Sequence, residues 1–240
     1  MKRRLFCILS ALSLFLLCAL PSQATAPREA HSTLPEVVDA PLLFQAPVPA
    51  APAVTEDWFA DAVFLGDPRL LAMAAGAKAQ GLVLSFSDIN VQNARTKNGY
   101  TDASRTLSQV LGGGEWGKIY IMLGLNEAAW MDEATFTREY GGLIDDLRAI
   151  LPQAKIYIQT LIPVTSFRSV AQSPSNTLLA RRNYLLALLA QEKQVYLVDA
   201  AAPFTQPGGL DPALSEDGLY LTEEGCERWL SYLRTHTVGT

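Results

Sequence analysis

The chain has 240 residues, 49% of them apolar and 18% charged, with a formal charge of −5. That length allows one large domain or two small ones, with enough apolar residues for a full core. The acidic balance, 24 carboxylates against 19 basic side chains, argues against nucleic acid and anionic lipid as main partners.

At the start, Lys2, Arg3 and Arg4 precede an apolar run from Leu5 to Leu20 that ends at Pro21, the pattern of a secretory signal peptide. Ser22-Gln23-Ala24 offers small residues for cleavage after Ala24, giving residues 1–24 as the signal peptide. The competing reading is an uncleaved anchor, although the apolar run falls short of a typical span of ~20 residues. Cys18 lacks the small residue that a lipobox places before its cysteine. Cleavage would take the charge to −8, since residues 1–24 hold three cations and no acid. It would also leave Cys226 without a disulfide partner. The expected location is secreted or associated with the cell envelope, with membrane contact only if the segment is kept.

Residues 25–57 read as a Pro/Ala-rich spacer, with six of the fourteen prolines and no sustained apolar period. Residues 58–240 read as one domain in which short β-rich runs alternate with helical stretches, as in βαβ units around a parallel sheet. Strands are expected at 62–65, 82–86, 118–123, 155–162 and 195–198. Helices are expected at 69–80, 101–111 with Thr101 as cap, 133–151 ended by Pro152, 176–192, and 223–235 capped by Thr222. In such sheets ligands bind beyond the carboxyl ends of the strands. The loops after the first three strands and the segment before the last helix are therefore where chemistry is sought.

Three blocks occupy those places. The first strand runs into Gly66-Asp67-Pro68-Arg69, the third ends in Gly124-Leu125-Asn126-Glu127, and Asp217-Gly218-Leu219-Tyr220 precedes the last helix. In this order the blocks resemble the SGNH hydrolases, also called the GDSL family, over about residues 58–236. The resemblance implies a three-layer α/β/α sandwich with a five-stranded parallel sheet, the flavodoxin-like SGNH hydrolase fold. It implies matches at Asp67, Gly124, Asn126 and Asp217.

The chain departs from that pattern where the covalent chemistry would be done. Pro68 stands at the nucleophilic serine, with neither a hydroxyl nor an N–H to donate to an oxyanion. Tyr220 stands at the basic histidine, and a phenol with pKa of about 10 is a poor base near neutrality. Asp88 falls where the family places a glycine whose amide also serves the oxyanion. The two histidines, His31 and His236, lie in the spacer and near the end of the last helix.

Other readings stand beside these. Asp67 as N-cap with Pro68 at the first helical position is a favoured helix start. Asn126 reads as a loop residue or as a retained ligand donor, and Asp217 as a turn former or as part of a site. Asp67, Asp88, Glu127 and Asp217 could converge as an acidic pocket for a cation, an amine or sugar hydroxyls. Trp130 and Tyr220 could stack on a sugar ring or serve as core or rim. Ser85, Ser87 and Cys226 are the remaining nucleophile candidates, with no histidine nearby to activate them.

The expectation is a catalytically inactive SGNH-like domain outside the cytoplasmic membrane, binding a cell-wall or polysaccharide ligand or a partner protein. Its vestigial positions are Pro68 and Tyr220, and its candidate ligand residues are Asp67, Asp88, Asn126, Glu127, Trp130 and Asp217. No metal site and no cofactor are expected. The alternative is an active esterase, deacetylase or other hydrolase with non-standard catalytic residues, such as a Glu127 and Asp217 pair or a serine of the second loop.

Overall fold

The computed structural model describes residues 44–76, 80–96 and 105–239. The predicted signal peptide, the spacer up to residue 43, His31 and the Thr101 cap lie outside them. Five strands, β1 (Ala62–Gly66), β2 (Leu82–Leu84), β3 (Lys118–Met122), β4 (Lys155–Gln159) and β5 (Tyr196–Val198), form one sheet. All its pairings are parallel, in the order β2-β1-β3-β4-β5. The order reverses between β1 and β3, and a crevice at such a switch point is where open α/β sheets place ligands.

Every residue of β1 and β3 is buried, which explains their near-continuous apolar runs. Phe64, Tyr120, Tyr157 and Tyr196 lie in register across four strands, with ring centroids 5.2, 4.6 and 5.1 Å apart in turn. Gly66 ends β1 where a Cβ would collide with the Met122 carbonyl oxygen and the Leu70 side chain, so only glycine lets β1 lie this close to β3 and the start of α1.

The helices are α1 (Arg69–Gly76), α2 (Asn93–Thr96), α3 (Leu107–Leu111), α4 (Glu133–Ile150), α5 (Ser166–Ala171), α6 (Asn176–Lys193) and α7 (Glu223–Thr235). α1 packs beside α7, and α4 beside α2, α3 and α6. These two groups are the outer layers that right-handed crossovers produce when the strand order reverses. Capping sets the starts: Asp132 accepts from Thr135 N, Ser175 from Leu178 N, and Thr222 from Gly225 N, the last as expected. Thr106 caps α3 with a reciprocal Gln109 bond.

β2, β3 and β4 stop sooner than the sequence suggests. β2 is an edge strand that pairs with β1 only over Leu82–Leu84, and β4 loses its ladder where the short β5 ends. Beyond β4, the Asn183 side chain takes over as hydrogen-bond partner of both Leu161 N and Leu161 O, at 2.7 and 3.0 Å. α2 and α5 are additional helices in stretches read as loops.

Part of the stretch read as spacer lies on the domain. Val48 is buried and its amide donates to Leu197 O of β5 at 2.8 Å, while Ala51 and Val54 donate to carbonyls at the end of α7. Glu56–Phe59 then forms a 3-10 turn that buries Phe59. Among the described residues no helix is long and apolar enough to cross a membrane.

Candidate functional site

The carboxyl ends of β1 and β3 bring the first and second blocks together. The Asp67 amide donates to Met122 O at 3.2 Å, and the Asp67 carboxylate turns onto its own helix start. Its Oδ1 accepts from the Arg69 amide at 3.0 Å, and its two oxygens accept from Arg69 Nε and Nη2 at 2.9 Å each. Both side chains are 1% exposed. Arg69 Nη1 also donates to Ile162 O beyond β4, spanning β3 to reach it. Asp67 therefore acts as the helix cap expected of it and as the counterion of a buried arginine. Arg69 was the missed residue here. Its signal was a cation two residues after the Asp, at a helix start where a cation is disfavoured unless paired.

Pro68 is half-buried and occupies the first turn, its carbonyl accepting from Leu71 N at 3.0 Å. A proline suits that place because no partner is needed for a missing N–H.

The second block enters through Gly124, whose φ of +126° suits glycine alone. Asn126 and Glu127 then grip the loop after β2. Asn126 Nδ2 donates to Ile89 O at 2.7 Å and to Ser87 O at 3.4 Å, so its amide hydrogens face backbone carbonyls. Glu127 is fully buried, and its Oε1 accepts from Val91 N at 2.8 Å. Burial pushes the Glu127 carboxyl up to about 7, against the lowering effect of the Val91 amide and nearby Arg182. Arg182 of α6, also buried, lies over the Phe136 ring at 4.4 Å and donates to Ala128 O and Met131 O. Sequence periodicity did not single out this arginine, since a charge on a helix reads as solvent-facing.

The last block forms a tight turn. Asp217 Oδ1 accepts from Leu219 N and Tyr220 N at 2.9 and 2.8 Å, and Arg168 of α5 pairs with its Oδ2 at 3.3 Å. Partial burial works upward on this carboxyl, but the two amides and Arg168 outweigh it and hold it below its ordinary value. Thr165 N donates to Gly218 O at 3.0 Å, so the start of α5 and this turn are lashed together.

The four carboxylates do not gather in one open acidic pocket. Asp67 and Glu127 are both buried and feel each other's charge, each held by partners of its own, while Asp217 is occupied by its turn and Arg168 and Asp88 is exposed on the β2–α2 loop. Among the described residues no three of His, Cys, Asp and Glu form a group that could hold a metal ion. Trp130 is 61% exposed with its Nε1 donating to Asn126 O at 2.9 Å, and Tyr220 is also exposed.

Of the other nucleophile and base candidates, Cys226 lies on α7 and His236 at its end, and the two serines lie after β2, on the loop that Asn126 holds. His236 follows the far end of α7, a helix roughly 20 Å long by its rise of about 1.5 Å per residue, and its ring stacks on Tyr232. Cys226 is buried in α7, and that burial, with Glu216 and Glu223 nearby, pushes its thiol up to about 11. Ser85 Oγ is buried without a hydrogen-bond partner among the described residues, and Ser87 is exposed.

The fold has relatives among solved structures. A Streptococcus pneumonia protein provisionally described as a platelet activating factor is 18% identical, with a TM-score of 0.60 over 73% of this chain and 82% of that one. The acetyl xylan esterase AlAXEase is 13% identical, with a TM-score of 0.57 over 74% and 99% of the two chains. Axe2, an acetylxylan esterase from Geobacillus stearothermophilus, is 14% identical, with a TM-score of 0.54 over 74% and 94%. No curated protein matches the sequence. The sequence profile of the GDSL-like Lipase/Acylhydrolase family matches residues 54–228, well over half of the chain. With the parallel sheet and the three blocks at its carboxyl edge, this chain belongs to the GDSL-like lipase/acylhydrolase family.

Proposed function

We propose that this domain is a catalytically inactive member of its family that acts outside the cytoplasmic membrane by binding a polysaccharide or a partner protein. The observation that carries the reading is Pro68, which puts a side chain without a nucleophilic atom and a backbone without an N–H at the head of α1. The neighbouring groups support it. The Asn126 amide hydrogens face Ser87 O and Ile89 O, and the exposed residue between those two carbonyls is a carboxylate, Asp88. A developing oxyanion would have no amide hydrogen of Asn126 free to meet it, and a carboxylate at position 88 would oppose its charge. The alternative carboxylate pair lacks support, since Glu127 is fully buried and Asp217 is committed to its turn and Arg168.

A glycan ligand is supported by the neighbours described as acetylxylan esterases and by the exposed Trp130 ring. The basic and apolar start of the chain supports export.

Hydrolysis of p-nitrophenyl acetate tests the catalytic part. The wild-type protein is expected at the buffer background, with turnover emerging in Pro68→Ser, Tyr220→His and rising when Asp88→Gly is added. Wild-type turnover well above background that falls at least tenfold in Glu127→Ala or Asp217→Ala would overturn the proposal. Saturable binding of acetylated xylan, weakened by Trp130→Ala, would mark the ligand as a glycan.

A further inference from the structure

α5 is a helix without a buried residue. A short helix with no apolar face in the core has little reason to persist alone, and here other devices hold it. Thr165 caps it, Arg168 pairs with Asp217, and the Asn176 side chain holds both N and O of Val164 just before it at 2.8 and 2.9 Å. What this fastening presents to solvent is apolar. Phe167 is 82% exposed and Val170 88%, the most exposed large apolar side chains among the described residues.

Two clefts flank this helix and share Ser166, Gln206 and Gly208. The cleft on the α6 side, about 430 Å³, is lined by Leu161, Pro163, Val170 and Leu179 among others and by no charged side chain. It has no aromatic ring on which a sugar could stack and no charge to hold an ion, so it suits an aliphatic side chain. The second cleft, about 670 Å³, holds Phe167 and Pro207 on one side and Glu216 and Asp217 on the other. Its acidic wall belongs to the stretch from Asp211 to Glu227, which has six carboxylates and no lysine, arginine or histidine. Arg168 offsets Asp217, and Glu216 has no ion-pair partner among the described residues.

We infer that α5 and its two clefts form a docking surface for an extended segment of a partner protein, one that places an aliphatic side chain in the first cleft and a lysine or arginine against Glu216 in the second. An exposed aromatic and aliphatic pair beside an uncharged cleft is the pattern of an interface centre, and the carboxylates are its polar rim. Charge complementarity sets the basic character of the partner. The surface does not depend on Pro68, so it stands whether or not the domain turns over an ester.

The test selects binders from a random twelve-residue peptide phage library on the whole protein and measures the resulting synthetic peptides by fluorescence anisotropy. The expected peptides carry an aliphatic residue within three positions of a lysine or arginine. Their binding weakens at least tenfold in Phe167→Ser, Val170→Ser and several-fold, with a shallower salt dependence, in Glu216→Lys. Because none of these side chains is buried, the variants should keep the wild-type melting temperature, and loss of binding in folded protein reads the surface itself. Failure to select peptides, a different consensus, or affinity indifferent to both variants would overturn the inference. So would a concentration-dependent dimer, or binding to phosphatidylcholine vesicles, that disappears in the double variant, since the occupant would then be a second copy or a lipid.

Discussion

Arg69 closes a two-pronged ion pair on Asp67, with both side chains sealed from water and the guanidinium reaching past β3 to Ile162 O. The loop that heads α1 is thereby tied to the far side of β3, and the carboxylate most suggestive of chemistry is fully committed to structure. A buried pair of this kind adds little over an apolar substitute, but breaking it strands a charge.

Arg69→Met is therefore expected to lower the free energy of unfolding by about 3–5 kcal/mol, since Asp67 would be left uncompensated. Adding Asp67→Asn should recover part of that loss. Urea unfolding of the two single variants and the double variant checks this, and equal, additive losses would refute the coupling.

Glu127 gives the fold a pH dependence. Its folded-state value of about 7 lies above the ordinary 4.5, so the folded chain binds this proton more tightly than the unfolded one. Its contribution to stability is full below about pH 4.5 and is lost as pH rises through about 7. The facing groups are Asp67 after β1, Tyr140 of α4, Arg182 of α6 and the Val91 amide. Glu127→Gln removes this titration, so between pH 5 and 8 the wild type should lose on the order of 2–3 kcal/mol relative to the variant. Melting temperatures across that range would show parallel curves if Glu127 titrated normally.

Asn126→Ala should loosen the loop after β2 rather than the sheet. The loss of the bond to Ile89 O is expected to cost about 1 kcal/mol. Amide exchange should quicken at Asn90 and Val91, with β3 and β4 unchanged. Uniform acceleration over the whole chain would show that Asn126 has no local role.

Gly66→Ala places a methyl group against the Met122 carbonyl oxygen, both on backbones that the sheet holds rigid. A loss of about 3 kcal/mol or more is expected, read as a lower urea midpoint. A wild-type midpoint would mean that β1 and β3 have room to part.

The parallel strands were legible in the sequence because buried ones such as β1 and β3 are written as unbroken apolar runs, and the three blocks because they fall at the ends of those strands and before the last helix. α5 was not, since a helix with no buried residue has no apolar period to read. The acidic convergence was misleading for a related reason. Spacing along the chain brings Asp67 and Glu127 to the same end of the sheet, but only the fold reveals Arg69, Arg182 and the Val91 amide already waiting for them.

The stretch around Val48 has a practical consequence. β5 is the last strand of the sheet, and the Val48 amide bonds to its Leu197 carbonyl from the open side. A protein trimmed to begin at residue 54, where the family match starts, would keep every block of the site yet bare that rim. Uncovered strand rims recruit other chains, so such a shortened protein should aggregate while one retaining Phe44 onward stays dispersed.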